Sequence, residues 1–240
     1  MAESLVLLHG FTHTGASWDR VRGALAERYR ALAPDIRGHG VASDVRPVSL
    51  EAVIDDVAEL PVDRFTLVGY SMGGRIALHI ALALPERMQR LVLIGASPGL
   101  ADPAEREARR EADERLASEV ERSTIERFAR RWADATPVLA GQSASVRESV
   151  HRDRLRNTPA GLAAALRGLG TGALPSVWQR LGELEMPVTL IVGARDEKFA
   201  RIARKMARTI PDAEVAVVPD TGHAVHLEAP EATAAIMARA

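Results

Sequence analysis

The chain has 240 residues, a net charge of −1 and no cysteine. With a pI near 6.7 it carries no global field toward nucleic acid or an anionic membrane, and disulfides, thiolate chemistry and Cys-based metal sites are excluded. No apolar run approaches the roughly 18 residues of a membrane span, and Met1-Ala2-Glu3 enters a strand at once, so no signal peptide is expected and the expected location is cytoplasmic.

Leu5-Val-Leu-Leu8 is a continuous apolar run, the pattern of a strand buried on both faces of a parallel sheet. It ends at His9-Gly10-Phe11, and a helix is expected over 18–29. Ala31-Leu-Ala-Pro34 reads as a second strand, followed by the glycine-rich loop Asp35-Ile-Arg-Gly38-His39-Gly40. Residues 50–60 have helical spacing, with Val53, Ile54, Val57 and Leu60 on one side. A strand beginning at Phe65 runs into Gly69-Tyr70-Ser71-Met72-Gly73, and an apolar helix then extends to Leu84, stopped by Pro85. Leu91-Val-Leu-Ile94 is a further buried strand.

Beyond Ser97-Pro98-Gly99 the texture becomes helical and charged. Helices are expected over 103–121, 125–135, 146–156 and 159–169, the last with Thr158 as its cap and Pro159 at the first position. On the first of them Ala104, Ala108, Ala112, Leu116 and Val120 form a narrow apolar stripe. The insert has too little apolar content to stand alone and should lie over something. Strand texture returns at Val188–192 and 214–219, with helices over 200–209 and from Pro230. Alternating strands and helices predict an α/β fold: a mostly parallel sheet with helices on both faces. The core spans 1–98 and 181–240, and residues 99–180 form a helical cap.

Chemistry enters through Ser71. Glycines at −2 and +2 allow a sharp strand-to-helix turn that lifts the hydroxyl above the sheet and leaves the Met72 N–H at a helix start, where an anion is favoured. A serine hydroxyl is inert at neutral pH until an imidazole takes its proton, and that imidazole needs an acceptor on its other nitrogen. Asp196 and His223 each lie just beyond a strand, on the same rim. Glu197 and His226 compete for these roles; Asp196 and His223 are preferred for their positions directly after the strands. The order Ser71, Asp196, His223 on this topology resembles the α/β-hydrolase fold over nearly the whole chain. His9-Gly10-Phe11 resembles that family's oxyanion loop, which implies the N–H groups of Phe11 and Met72 as donors and a structural role for His9. The strands that usually precede this loop are missing, so one sheet edge is expected to be short.

Three features narrow the reading. Arg75 sits one turn above Ser71 on an otherwise apolar helix, where a guanidinium takes either an anionic ligand or a local acid. At 100° per residue, Arg109 lies about 60° from Ala112 and borders the stripe, with Arg115 on its other side, while Arg106 and Arg110 face water. Phe128-Ala-Arg-Arg-Trp132, Thr136-Pro137-Val138-Leu139-Ala140 and Leu155-Arg156-Asn157 follow in the cap.

The elbow ending in Arg75, the Ser-Pro-Gly-Leu entry to an arginine-rich helix, the cap tryptophan and the Leu-Arg-Asn segment together resemble one family. It is the 2-succinyl-6-hydroxy-2,4-cyclohexadiene-1-carboxylate synthases of menaquinone biosynthesis. The resemblance implies a lyase that eliminates pyruvate from a small polycarboxylate ring substrate, with no metal or organic cofactor. It implies Arg75, Arg109 (or Arg106 in its place) and Arg156 as carboxylate clamps, with Tyr70 and Trp132 lining the pocket. A carboxylesterase or C–C bond hydrolase with the same triad is the alternative. A hydrolase-fold binding protein with a vestigial triad is the reading from outside catalysis.

Overall fold

The computed structural model describes residues 3–25, 27, 29–135 and 142–238. Among them a six-stranded, all-parallel sheet has the order β2-β1-β3-β4-β5-β6. The strands are β1 (Glu3–Leu8), β2 (Tyr29–Leu32), β3 (Phe65–Tyr70), β4 (Met88–Ile94), β5 (Val188–Gly193) and β6 (Ala213–Val218). The helices are α1 (Asp19–Ala24), α2 (Leu50–Ala58), α3 (Met72–Ala83), α4 (Pro103–Glu121), α5 (Ile125–Ala135), α6 (Ala144–Arg154), α7 (Pro159–Leu169), α8 (Glu197–Ala207), α9 (Val225–Glu228) and α10 (Pro230–Met237). None is long and apolar enough to cross a membrane.

The apolar runs read as strands are buried on both faces because alternate residues feed two different cores. Val6 and Leu8 join Leu67, Leu91 and Leu93 beneath α2, α3 and α8. Leu5 and Leu7 join Val68 and Val92 on the opposite face, under Trp18, Val21 and Ile236. Register then aligns the strand ends: Leu8 pairs with Gly69, Tyr70 with Ile94, Ile94 with Ile191 and Gly193 with Val218. The loops after β1, β3, β5 and β6 therefore open onto one rim. Chain order reverses between β1 and β3, and open α/β sheets bind ligands at such a point.

Four helices, α4 to α7, separate β4 from β5. Ala117, Val120, Phe128, Leu162, Ala163 and Leu166 make a small core of their own, against which Phe11 and Trp132 pack. The stripe expected on α4 is turned. Ala104 and Ala108 are exposed, while Asp113, Ala117 and Val120 are buried. The reason is polar: Asp113 Oδ2 accepts the Gly172 N–H at 3.2 Å and Oδ1 accepts Arg109 Nε–H at 2.7 Å, so a carboxylate takes a position that apolar patterning gives to alanine.

Other boundaries move by at most about a turn and a half, with local causes. The helix expected over 18–29 ends at Ala24, because Tyr29 already pairs with Glu3 in the β1–β2 ladder. Helix α8 starts early because the Asp196 side chain caps it through the Phe199 N–H. Ser143 does the same for α6 through Val146.

Four of the seven histidines carry depressed proton affinities. Burial lowers His9 and His79 to about 4 and holds His39 and His226 well below the ordinary value of 6.5. His226 is fully buried between Trp18 and Tyr70, ring centroids 4.5 and 4.3 Å away, and neither ring nitrogen has a hydrogen-bond partner. Such groups bind protons more weakly folded than unfolded. Their contribution is complete above pH 6.5 and drains as pH falls toward about 4, each removing up to roughly 1.4 kcal/mol per pH unit in that window. Melting temperatures measured across this range should therefore fall steeply below pH 6.5, and His226→Phe should flatten the fall; a curve parallel to that of the parent would refute the assignment.

Candidate active site

Ser71 sits at φ 52°, a left-handed conformation that a residue with a Cβ adopts only when its surroundings impose it. They do so here. Its N–H donates to the Ile94 carbonyl at 2.9 Å, locking the turn to the end of β4. A Cβ on Gly73 would collide with the carbonyl oxygens of Leu8 and His9, so the start of α3 lies directly against β1. Met72 is the first residue of α3, and its N–H belongs to the unpaired set that gives a helix N-terminus partial positive charge.

The structure brings Ser71, His223 and Asp196 together. The serine Oγ lies 3.1 Å from His223 Nε2, and His223 Nδ1 lies 2.6 Å from Asp196 Oδ2. A carboxylate only accepts, so Nδ1 carries the proton and Nε2 is left to receive the serine's. Asp196 is buried and fixed by its second oxygen, which accepts the Phe199 N–H at 3.2 Å. Glu197, its competitor, is exposed and faces Arg201 at 3.9 Å. His226 takes no part in the chain of bonds; it packs on Tyr70. The His223 loop is held from behind by Glu228, whose carboxylate accepts the Gly222 N–H at 2.9 Å and Arg195 at 2.8 Å. The Phe199 ring covers the imidazole with its centroid 4.4 Å away.

The loop after β1 lies beside this group. A Cβ on Gly10 would sit 2.7 Å from the Tyr70 ring and 3.5 Å from Ser71 Cβ, so the Gly10–Phe11 backbone passes directly over the nucleophile turn. His9 is structural in its bonding. Its Nε2 accepts the Ile36 N–H at 2.9 Å and its Nδ1–H reaches the Gly10 carbonyl at 2.9 Å, which requires the neutral ring. Trp132 meets the Phe11 ring edge-on at 5.3 Å, and Tyr70 is almost wholly buried.

The arginines divide sharply. Arg75 is buried with its Nε unpartnered, and no carboxylate stands within ion-pair distance of it among the described residues. Burial first, and then the charge of Arg109, pull it down to about 10. Arg109 itself is held by Asp113 and remains half exposed. Arg106, read as facing water, is partly buried. Arg156 turns away: its side chain is 63% exposed, with Asp153 at 3.9 Å, and lines a groove of about 340 Å³ shared with Asp19, Arg20 and Arg152 but with no member of the triad. Arg154, which sequence reading passed over, is the buried one. It is 2% exposed, donates from Nε to Thr12 Oγ1 at 3.3 Å, lies within the electrostatic reach of Tyr70, and is lowered to about 10 by burial. Residues 136–140 lie outside the described residues.

The alpha/beta hydrolase family matches over residues 5–236. A Bacillus subtilis chain that carries the name 2-succinyl-6-hydroxy-2,4-cyclohexadiene-1-carboxylate synthase provisionally is 37% identical, covering 95% of this chain and 86% of its own. The synthase of that name from Enterobacter is 33% identical, over 98% of this chain and 90% of its own. Among solved structures, MenH from S. aureus superposes with a TM-score of 0.92 at 30% identity, covering 98% of this chain and 91% of the other. The chain belongs to the 2-succinyl-6-hydroxy-2,4-cyclohexadiene-1-carboxylate synthase family, within the α/β hydrolases.

Within that family frame, the correction at α6 has a plain physical source. Val146, Val150, Asp153 and Arg154 share the buried face, and Arg154 lies about 40° from Val150 on the helical wheel, whereas Arg156 lies about 120° away. The buried face was thus written in the helical spacing and carries Arg154, whereas the neighbouring Leu-Arg-Asn motif points to Arg156, which the structure leaves exposed.

The hydrogen-bond chain yields a direct chemical expectation. An aryl phosphonate should label Ser71 alone. His223→Ala should abolish labelling and Asp196→Asn should slow it by about 10²-fold or more, read by mass spectrometry of the peptide. Equal labelling of the parent and both variants would contradict the arrangement.

Proposed function

We propose that this chain eliminates pyruvate from 2-succinyl-5-enolpyruvyl-6-hydroxy-3-cyclohexene-1-carboxylate, giving 2-succinyl-6-hydroxy-2,4-cyclohexadiene-1-carboxylate in menaquinone biosynthesis. The observation that carries this reading is the pair of buried guanidiniums, Arg75 and Arg154, neither with an ion-pair partner among the described residues. Buried charge without a counter-ion is costly, and a ligand bearing several carboxylates supplies what the protein lacks. Arginine also grips a carboxylate with two parallel N–H groups, fixing orientation as well as charge.

The geometry supports the following steps. Ser71, its own proton passed to His223 Nε2, takes the ring proton next to the succinyl carbonyl, and Asp196 holds the resulting imidazolium. Charge collects on the carbonyl oxygen as an enolate, and the N–H groups of Phe11 and Met72 stabilise it. The electron pair then returns through the ring double bond, the C–O bond to the enolpyruvyl group breaks, and the departing pyruvate enolate takes up a proton. One C–H and one C–O bond are lost and one ring double bond is gained, with no redox change. Arg75 and Arg154 hold the carboxylates, Arg109 stands at the entrance beside Arg75, and Tyr70 and Trp132 bound the ring. The helical segment 99–180 serves as the cap over it.

A serine esterase or C–C bond hydrolase of this fold would use the same triad by acylating Ser71, but it has no use for two uncompensated buried cations. The purified protein should release pyruvate from the enolpyruvyl substrate, and Ser71→Ala should reduce turnover by about 10²–10⁴-fold. Arg75→Ala and Arg154→Ala should each lower kcat/KM by about 10- to 100-fold, whereas Arg156→Ala should change it by less than about threefold. Acyl-enzyme formation on ester substrates without any pyruvate release would favour the hydrolase instead.

A further inference from the structure

The loop that carries Phe11 is held from the cap side rather than by the sheet alone. Thr12 sits at φ 69°, a conformation that a β-branched residue adopts only under constraint. Two cap residues impose it. Asn157 Nδ2 donates to the Thr12 carbonyl at 2.9 Å and Arg154 Nε to the Thr12 hydroxyl at 3.3 Å. One helical turn back, Asp153 receives three bonds from the next two residues. The Thr14 N–H reaches Oδ2 at 3.1 Å, the Thr14 hydroxyl reaches Oδ1 at 2.5 Å, and His13 Nδ1 lies 3.2 Å from Oδ2.

Asn157 also works in the other direction. Its Oδ1 accepts the Gly40 N–H at 3.0 Å and its amide reaches the Arg154 carbonyl at 3.1 Å, so one buried side chain spans the loops after β1 and β2 and the end of α6. Asp153 is itself buried; burial alone would raise it, but His13 and the two Thr14 donors outweigh that and keep it ionised. A buried carboxylate bonded to residues 13 and 14, and a buried amide bonded to residues 12 and 40, are expensive to assemble unless that loop must be held in one place.

We infer that Asp153 and Asn157 are positioning residues for the oxyanion hole: the α6–α7 corner clamps residues 12–14 and thereby sets the Phe11 N–H, so the hole is complete only when the cap is seated. This rests on the reading of Phe11 as an oxyanion donor. Neither side chain touches the reacting atoms. Both act through the strained Thr12, one residue beyond that donor.

Asn157→Asp keeps the oxygen facing Gly40 but turns the donor to Thr12 into an acceptor. Displacing one oxyanion donor should lower kcat for pyruvate release, and the rate of Ser71 phosphonylation, by about 10- to 100-fold. KM should stay within about threefold, because the carboxylate contacts are untouched. Should that variant fail to fold, Asp153→Asn, which retains one acceptor for Thr14, gives the same readout. Arg152→Ala, exposed on the same helix and paired with Glu148 at 3.9 Å, should leave both rates unchanged. A rise in KM at constant kcat, or rates equal to the parent's in folded variants, would overturn the clamp. Phosphonylation tests it without the lyase substrate: slowed labelling in a protein that releases no pyruvate would keep the clamp and remove the lyase. Pyruvate release that is undiminished in both variants would do the reverse.

Discussion

A guanidinium taken out of water without a carboxylate beside it is the constraint on which this structure turns. Burial costs such a group several kcal/mol even after relaxation, and here two of them are buried, Arg75 on the helix that Ser71 opens and Arg154 against the loop after β1. Exposed arginines elsewhere in the chain find partners easily: Arg37 meets Asp56 through two bonds at 2.7 and 2.8 Å, and Arg167 lies between Glu114 and Glu121. Acids are thus abundant, yet among the described residues none comes within ion-pair distance of Arg75 or Arg154; Asp113 and Asp153 act on them only at longer range. On the proposed reading, binding of an anionic ligand recovers the stability given up there.

The surrounding scaffold makes that concession tolerable. The four inner strands are largely buried on both faces, and the register brings the loops that bear Ser71, Asp196 and His223 to one rim. Neutral, desolvated histidines line the inside of the same region. His9 in particular joins the loop after β1 to the loop after β2 through bonds that only its uncharged form can make. The cap adds a second attachment through Asp153 and Asn157, so the loop over the nucleophile is gripped from both sides.

Much of this was legible in the chain. Small residues flanking Ser71 announce the tight turn, and the order of serine, aspartate and histidine after successive apolar runs announces the shared rim. Helices α4, α5 and α7 were read to their observed ends, and Pro103, Thr158 and Pro159 mark the starts of α4 and α7 locally. The misses have physical causes. Periodicity counts Asp113 as solvent-facing because it cannot see the contact with Gly172 that buries it. Arg154 stood on the buried face of α6 by spacing, but its contact with Thr12 is not written in the sequence.

The uncompensated charge can be measured without turnover. Thermal melting of the parent and of Arg75→Met should be compared with and without a non-reacting ring dicarboxylate, a benzoate bearing an adjacent succinyl group. Ligand should raise the melting temperature of the parent. The variant should melt at the same temperature or higher when empty and should gain nothing from ligand. A variant that melts several degrees lower when empty, yet retains the full ligand shift, would mean that Arg75 serves the fold rather than the site.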